Sequence, residues 1–120
     1  MVEHPFIGID AQAITSRIAT LFRLPVRHGL LVGRVCADSG ASRAGIHAAT
    51  QEVTLDGDTW PLGGDIIVKV DGKRVGSLDR LRAVIGPKHP GETVDLQLYR
   101  GAKTMSLHVK LGRQPLSPRC

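Results

Sequence analysis

Aromatic side chains are scarce, with two Phe, one Tyr and one Trp in 120 residues. Four rings (Phe6, Phe22, Trp60 and Tyr99) offer no obvious platform on which bases could stack. Sixteen Lys and Arg against eleven Asp and Glu leave a net charge of +5, yet nowhere do three basic residues adjoin. Nucleic-acid binding draws on clustered cations, so no nucleic acid is expected as a partner. Two cysteines cannot define a disulfide framework. Cys36 ends the apolar run "LLVGRVC" and reads as a small core residue, and Cys120 as a frayed terminus. His4, His28, His47, His89 and His108 stand apart from one another and from both cysteines, which leaves no metal-ligand spacing; neither metal nor cofactor is expected. Long apolar runs are missing too. The best, "GLLVG" and "DIIVKV", fall far short of the roughly 20 residues that span a bilayer. The start, "MVEHPFIGID", has no basic segment followed by an apolar one and does not read as a signal peptide, although an excised domain would look the same.

What remains is an ordinary globular composition, 42% hydrophobic and 22% charged, of a length that suits one domain. Fourteen glycines and seven prolines imply many turns, hence short strands. "FIGID" (6–10) reads as a strand that something approaches closely at its glycine. Ile14, Ile18, Leu21 and Phe22 fall on one helical face, ended by Pro25. "GLLVGRV" (29–35) is a buried strand, and "ASRAGI" a tight helical turn closed by Gly45. "QEVTLDGDTWPL" places a "DG" turn between alternating residues, the pattern of a hairpin. "GGDIIVKVDGKRV" gives a strand, a second "DG" turn and a returning edge. Ser77 can cap a helix with Asp79 in its first turn and Leu78, Leu81, Ala83 and Ile85 as apolar positions. Gly86 and Pro87 stop it. "ETVDLQLY" and "TMSLHVKL" alternate as two final strands around "RGAK", and residues 113–120 carry no periodicity and are expected to be disordered.

The stretch "CADSGASRAGI" (36–46) resembles the surround of a trypsin-type nucleophilic serine. A serine hydrolase needs a nucleophile, a base within reach and donors for the oxyanion. One small core cannot bring a distant His and Asp to Ser39, and Gly40-Ala41 stands where a glycine pair would be. Ser39 is therefore a turn residue, with Asp38 or Ser39 capping the turn that Ala41 and Ala44 pack and Gly45 closes. No catalytic residue is assigned, and this chain alone is not expected to be an enzyme.

Taken together, "FIGI", "GLLVGRVCADSGASRAGI", "GGDIIVKVDGKRVGSLDRL" and "PGETVDLQLYRGAKTMSLHVKL" resemble the PDZ domain of HtrA/Deg-type serine proteases. The second block of that pattern, G-D-x-I-x-x-[IVL]-[ND]-G-x-x-[IV], is kept from Gly64 and Asp65 through Asp71-Gly72 to Val75. The first, V-x-x-x-S-P-A-x-x-A-G-[IL], keeps Ser39, Ala41, Ala44 and Gly45 but has Gly40 for the proline. The resemblance implies a mainly β (α+β) fold, a small half-open barrel of five to seven short strands capped by two helices. Its topology is the circularly permuted one of bacteria. Residues 1–112 form the single domain, with a hairpin insertion at about 47–63 whose role stays open.

The resemblance also implies binding rather than bond cleavage. A nest of backbone N–H groups on Phe6, Ile7, Gly8 and Ile9 would hold a peptide's terminal carboxylate, with Gly8 permitting close approach. The peptide would add a strand antiparallel to Ile9 and Asp10. Opposite lies the helix from Ser77, with Leu78, Leu81, Arg82 and Ile85 facing or flanking the groove. An apolar last side chain would enter between Ile7, Ile9, Leu81 and Ile85. Leu81 and Ile85 read equally as core, Gly8 also as a bulge glycine, and Arg82 also as a solvated helix face. The implied partners are peptide C-termini or unfolded segments with an apolar last residue, presented to a serine endopeptidase. The resemblance further implies an extracytoplasmic parent, with or without a membrane anchor, that can oligomerise through its protease domain. The alternatives are the same module in a site-2-type metalloprotease or a processing protease, and a basic adaptor for nucleic acid.

Overall fold

Short alternating segments separated by tight turns dictate a strand-rich architecture, described by a computed structural model for residues 4–116 and 120. In chain order the elements are β1 (Pro5–Phe6), β2 (Ile9–Ala13), α1 (Ser16–Leu21), β3 (Leu30–Val35) and α2 (Gly40–Ala44). They continue with β4 (Gln51–Leu55), β5 (Asp58–Leu62), β6 (Ile66–Val70), β7 (Lys73–Arg74) and α3 (Leu78–Ile85). β8 (Thr93–Arg100), β9 (Lys103–Lys110) and β10 (Gly112–Arg113) complete the fold. The main sheet runs β2-β3-β6-β8-β9, with β7 paired to β6, and it does not close on itself. β1 pairs with β10, and β4 with β5, as separate two-stranded sheets.

The turns follow from their residues. Asp56-Gly57 and Asp71-Gly72 both hold left-handed backbone, with φ of 53° and 85°, then 50° and 78°, as two-residue hairpins with right-handed twist require. All three helices begin on a hydroxyl that accepts an otherwise orphan backbone N–H: Thr15 from Ile18, Ser39 from Ser42 and Ser77 from Arg80. Ser39, rather than Asp38, is thus the cap of α2, and Gly45 ends it in left-handed conformation.

Two apolar clusters hold the sheet on its two faces. The larger joins Ile7, Leu30, Val32, Ile67 and Val70 with Leu81, Val84 and Ile85 of α3 and the inward residues of β8 and β9. The smaller joins Ile14, Ile18 and Ala19 of the α1 region to Leu31, Ile66 and Trp60. Trp60 gives the β4–β5 hairpin its role in the fold: it carries the hairpin onto the sheet's second face beside α1. Arg17 of α1 reaches across to Asp56 at the hairpin tip.

Several expectations need correction. "FIGID" is not one strand, because Ile7 and Gly8 interrupt it between β1 and β2. Leu21 is 52% exposed and contributes nothing to the α1 face. On α3 the buried residue is Val84 and not Ala83, since the packed stripe follows Leu81 at i+3 and i+4. The expected disorder from 113 onward fails at Arg113, which pairs with Pro5, and at Gln114, whose N–H donates to the His4 carbonyl. Cys36 is not a free core thiol, for it is disulfide-bonded to Cys120. The remainder of that segment, residues 117–119, lies outside the described residues.

Candidate functional site

Between β1 and β2 the chain turns its carbonyls inward. Cys36 N–H donates to the Gly8 oxygen at 2.7 Å, and Ala41 N–H, in the first turn of α2, donates to the Ile7 oxygen at 2.9 Å. The amide N–H groups of Ile7 and Gly8 donate to no acceptor among the described residues. A loop with its oxygens held and its N–H groups free presents donors, which suits an anion.

The same bonds fix the strand that follows. Ile9 opposes Val35 in β3, and the Cys36-to-Gly8 bond brackets that pair from outside. Ile9–Val35 is therefore a non-hydrogen-bonded pair, whose own N–H and C=O on Ile9 point to the open edge. Ala13 opposes Leu30, bracketed by Ile14 N–H donating to Gly29 O, so it too offers its backbone outward. β2 pairs only with β3 and ends the sheet, with α3 alongside.

Gly8 has a different reason to be glycine than sequence suggests. Its φ is +92°, and a Cβ there would overlap both the Cβ and the Oγ of Ser39. What approaches closely within the fold is the α2 cap. Ser39 is 2% exposed; its hydroxyl donates to Cys36 O at 2.7 Å and accepts from Ser42 N–H at 3.1 Å. The serine of "DSGA" lies beneath the free N–H groups as their support, with no base near it in the hydrogen-bonding pattern.

The other expected site residues separate into four groups. Ile7, Leu81 and Ile85 are buried in one cluster, against which Ile9 and Leu78 are partly buried. They form the floor between β2 and α3, so Leu81 and Ile85 are core on their inner side. Arg82 is 72% exposed and ion-paired to Asp79 at 3.3 Å, a solvated helix face. Asp10 is exposed and lines a cavity of about 230 Å³ with Gln12, Arg34, Glu52 and Pro61, on the side of the β4–β5 hairpin. Phe6 belongs to β1, opposite Gly112. Sequence reading missed Ala11 and Ala13, which pack with Ile9 on the inner face. The alternation Ile9, Ala11, Ala13 was the available signal, muted because alanine carries little apolar weight.

Comparison with known proteins decides the family. A family model described as PDZ domain matches residues 5–111. The chain belongs to the PDZ domain family. Within it, the periplasmic pH-dependent serine endoprotease DegQ of Escherichia coli (strain K12) is 31% identical over 110 residues, covering 92% of this chain and 21% of DegQ. A probable periplasmic serine endoprotease, DegP-like, of Chlamydia trachomatis serovar D is 34% identical over 114 residues, covering 95% of this chain and 20% of the relative. The chain thus spans about a fifth of the length of these relatives, and it is similar to the PDZ domains of HtrA/Deg-type proteins. In structure, the HtrA3 PDZ domain bound to a phage-derived ligand (FGRWV) matches with a TM-score of 0.68 at 25% identity, covering 94% of this chain and 89% of that one. The HtrA-type protease AlgW with decapeptide matches in fold with a TM-score of 0.72 at 22% identity, over 97% of this chain and 31% of that one.

Proposed function

We propose that this PDZ domain captures peptide C-termini, or extended segments of unfolded proteins, by adding them as a strand to the open edge of β2. The observation that carries the reading is the combination at one end of that edge. Two backbone N–H groups, on Ile7 and Gly8, lack acceptors among the described residues, and Ile9, whose backbone N–H and C=O point to the open edge, continues directly from them. A terminal carboxylate accepts from the first, and the peptide's main chain pairs with the second. An apolar last side chain rests over Ile9 and the Leu81–Ile85 side of α3. Covering it contributes about 1.5–3 kcal/mol, and the costs of association leave an affinity in roughly the micromolar range.

In the parent the module recognises substrate or regulates a serine endopeptidase. The serine endoproteases among its relatives favour that reading over a site-2-type metalloprotease or a processing protease, and nothing in the β2 edge calls for nucleic acid. The relatives' periplasmic names support an extracytoplasmic parent, as does a disulfide, which persists in oxidising compartments. Among the described residues no helix is long and apolar enough to cross a membrane. Calorimetric titration with a short peptide ending in Val tests the reading. The free acid should bind at least about tenfold more tightly than its C-terminal amide, a difference of roughly 1.4 kcal/mol for a charge-assisted contact. Equal binding of the two would remove carboxylate capture.

A further inference from the structure

On the opposite side of the sheet from α3, three cations and a histidine gather around a cavity with no acidic residue in its lining. Arg27 and His28, from the segment that joins α1 to β3, face Lys69 of β6 and Arg74 of β7 across about 370 Å³. None of the four is ion-paired to a carboxylate among the described residues; Arg27 donates only a long bond, 3.4 Å, to the Thr20 hydroxyl.

Two features of the backbone build this arrangement. Lys69 and Arg74 are direct cross-strand partners, and like charges in that position repel. On its other side Lys69 opposes Gln97 of β8, so one row across three strands reads cation, cation, amide. β6 also shifts register between Ile67 and Lys69, at Val68. That bulge lets Val68 and Lys69, consecutive residues that a regular strand would send to opposite faces, line the same cavity. Val68 and Tyr99 give it an apolar floor.

We infer that this cavity is a second binding site, for an acidic segment of polypeptide that carries at least two carboxylates. Arg27 on the segment before β3 and the Lys69–Arg74 pair on the sheet match two carboxylates, with the His28 ring as a further hydrogen-bond donor. The space equals that of about a dozen waters, more than one small anion fills. Bound carboxylates would relieve the Lys69–Arg74 repulsion, and no residue of the β2 edge takes part.

The test is an NMR titration with a Glu-rich peptide, acetylated and amidated so that neither terminus is charged. Its Gln-rich counterpart, inorganic phosphate and oligothymidylate serve as comparisons. The Glu peptide should shift Val68, Lys69, Arg74 and Gln97 while leaving Ile7 and Gly8 unmoved, and should weaken as salt rises. The double variant Lys69→Gln/Arg74→Gln should lose about fivefold or more in affinity without a lower melting temperature. Arg27→Gln, outside the sheet, should weaken the same peptide. The proposal is overturned if the Glu peptide causes no such shifts, if the Gln peptide binds equally, or if the variants bind as the parent does. A stronger response to phosphate or to oligothymidylate would overturn it as well.

Discussion

Arg100 holds both carboxylate oxygens of Asp65, Nε to Oδ1 at 2.9 Å and Nη2 to Oδ2 at 2.8 Å, while the same Nη2 donates to the Gly45 carbonyl at 2.9 Å. The Asp65 side chain is fully buried and also accepts the His47 N–H at 2.8 Å. One planar fork thus joins the end of β8, the start of β6 and the end of α2. The Asp65 carboxylate beside it raises the Arg100 guanidinium further above its ordinary range.

Removing one partner leaves the other charge with too few contacts. Arg100→Ala should cost about 2–3 kcal/mol in urea unfolding, toward the lower end for a buried pair because Arg100 is partly exposed. Arg100→Lys should recover only part, since an ammonium cannot span two carboxylate oxygens and a carbonyl as the fork does. Equal stability of all three proteins would mean that the fork contributes nothing.

Gly8→Ala should destabilise the fold by about 2 kcal/mol or more, because the new Cβ meets Ser39 in a backbone conformation that L-residues avoid. Ser39→Ala, which keeps the Cβ and removes the cap together with the bond to the Cys36 carbonyl, should cost about 1–2 kcal/mol. Thermal melts distinguish them. A Gly8→Ala protein with an unchanged melting temperature but no peptide binding would show that the bare Cα serves the ligand and not the fold.

Acid should weaken the β6–β7 turn in a defined window. The Lys88 ammonium, 2.8 Å from Asp71, and then the Asp95 N–H hold the Asp71 carboxyl below its ordinary range. A depressed folded value contributes stability that is complete above the unfolded pKa, about 3.9, and is lost as pH falls through the folded one. Asp71→Asn suits the comparison, since Asn tolerates the left-handed backbone found there. The stability gap between parent and variant should be constant at neutral pH and close below about pH 4. Parallel curves down to the acid limit would show that the pair is energetically silent.

Trp60→Ala should cost about 3 kcal/mol or more, read by chemical denaturation, because the ring is the hairpin's main anchor in the second cluster. An unchanged midpoint would mean that the hairpin rides on the sheet without supporting it.

Local chemistry was legible wherever one short stretch decides the outcome. The two "DG" turns, the Ser77 cap and the alternation of β8 and β9 all follow from neighbours in sequence. The PDZ resemblance, carried by Gly64 to Val75 and by "FIGI", placed the open strand at the right end of the chain. What sequence could not show were contacts between distant segments. Ser39 fills the space that Gly8 leaves, Arg100 finds Asp65 across 35 residues, and Cys36 meets Cys120. Each depends on how strands pair, and no periodicity encodes that. The bulge at Val68 was equally hidden, since its effect is to break the period by which strands are read.

The amide protons of Ile7 and Gly8 test the central claim most directly. Titrated with a free-carboxylate peptide in an NMR experiment, they should move downfield ahead of all others, with Ile9 following as the added strand pairs, and should stay in place with the C-terminal amide. If the peptide binds while those two resonances remain still, the carboxylate is held elsewhere and this account of the β2 edge is wrong.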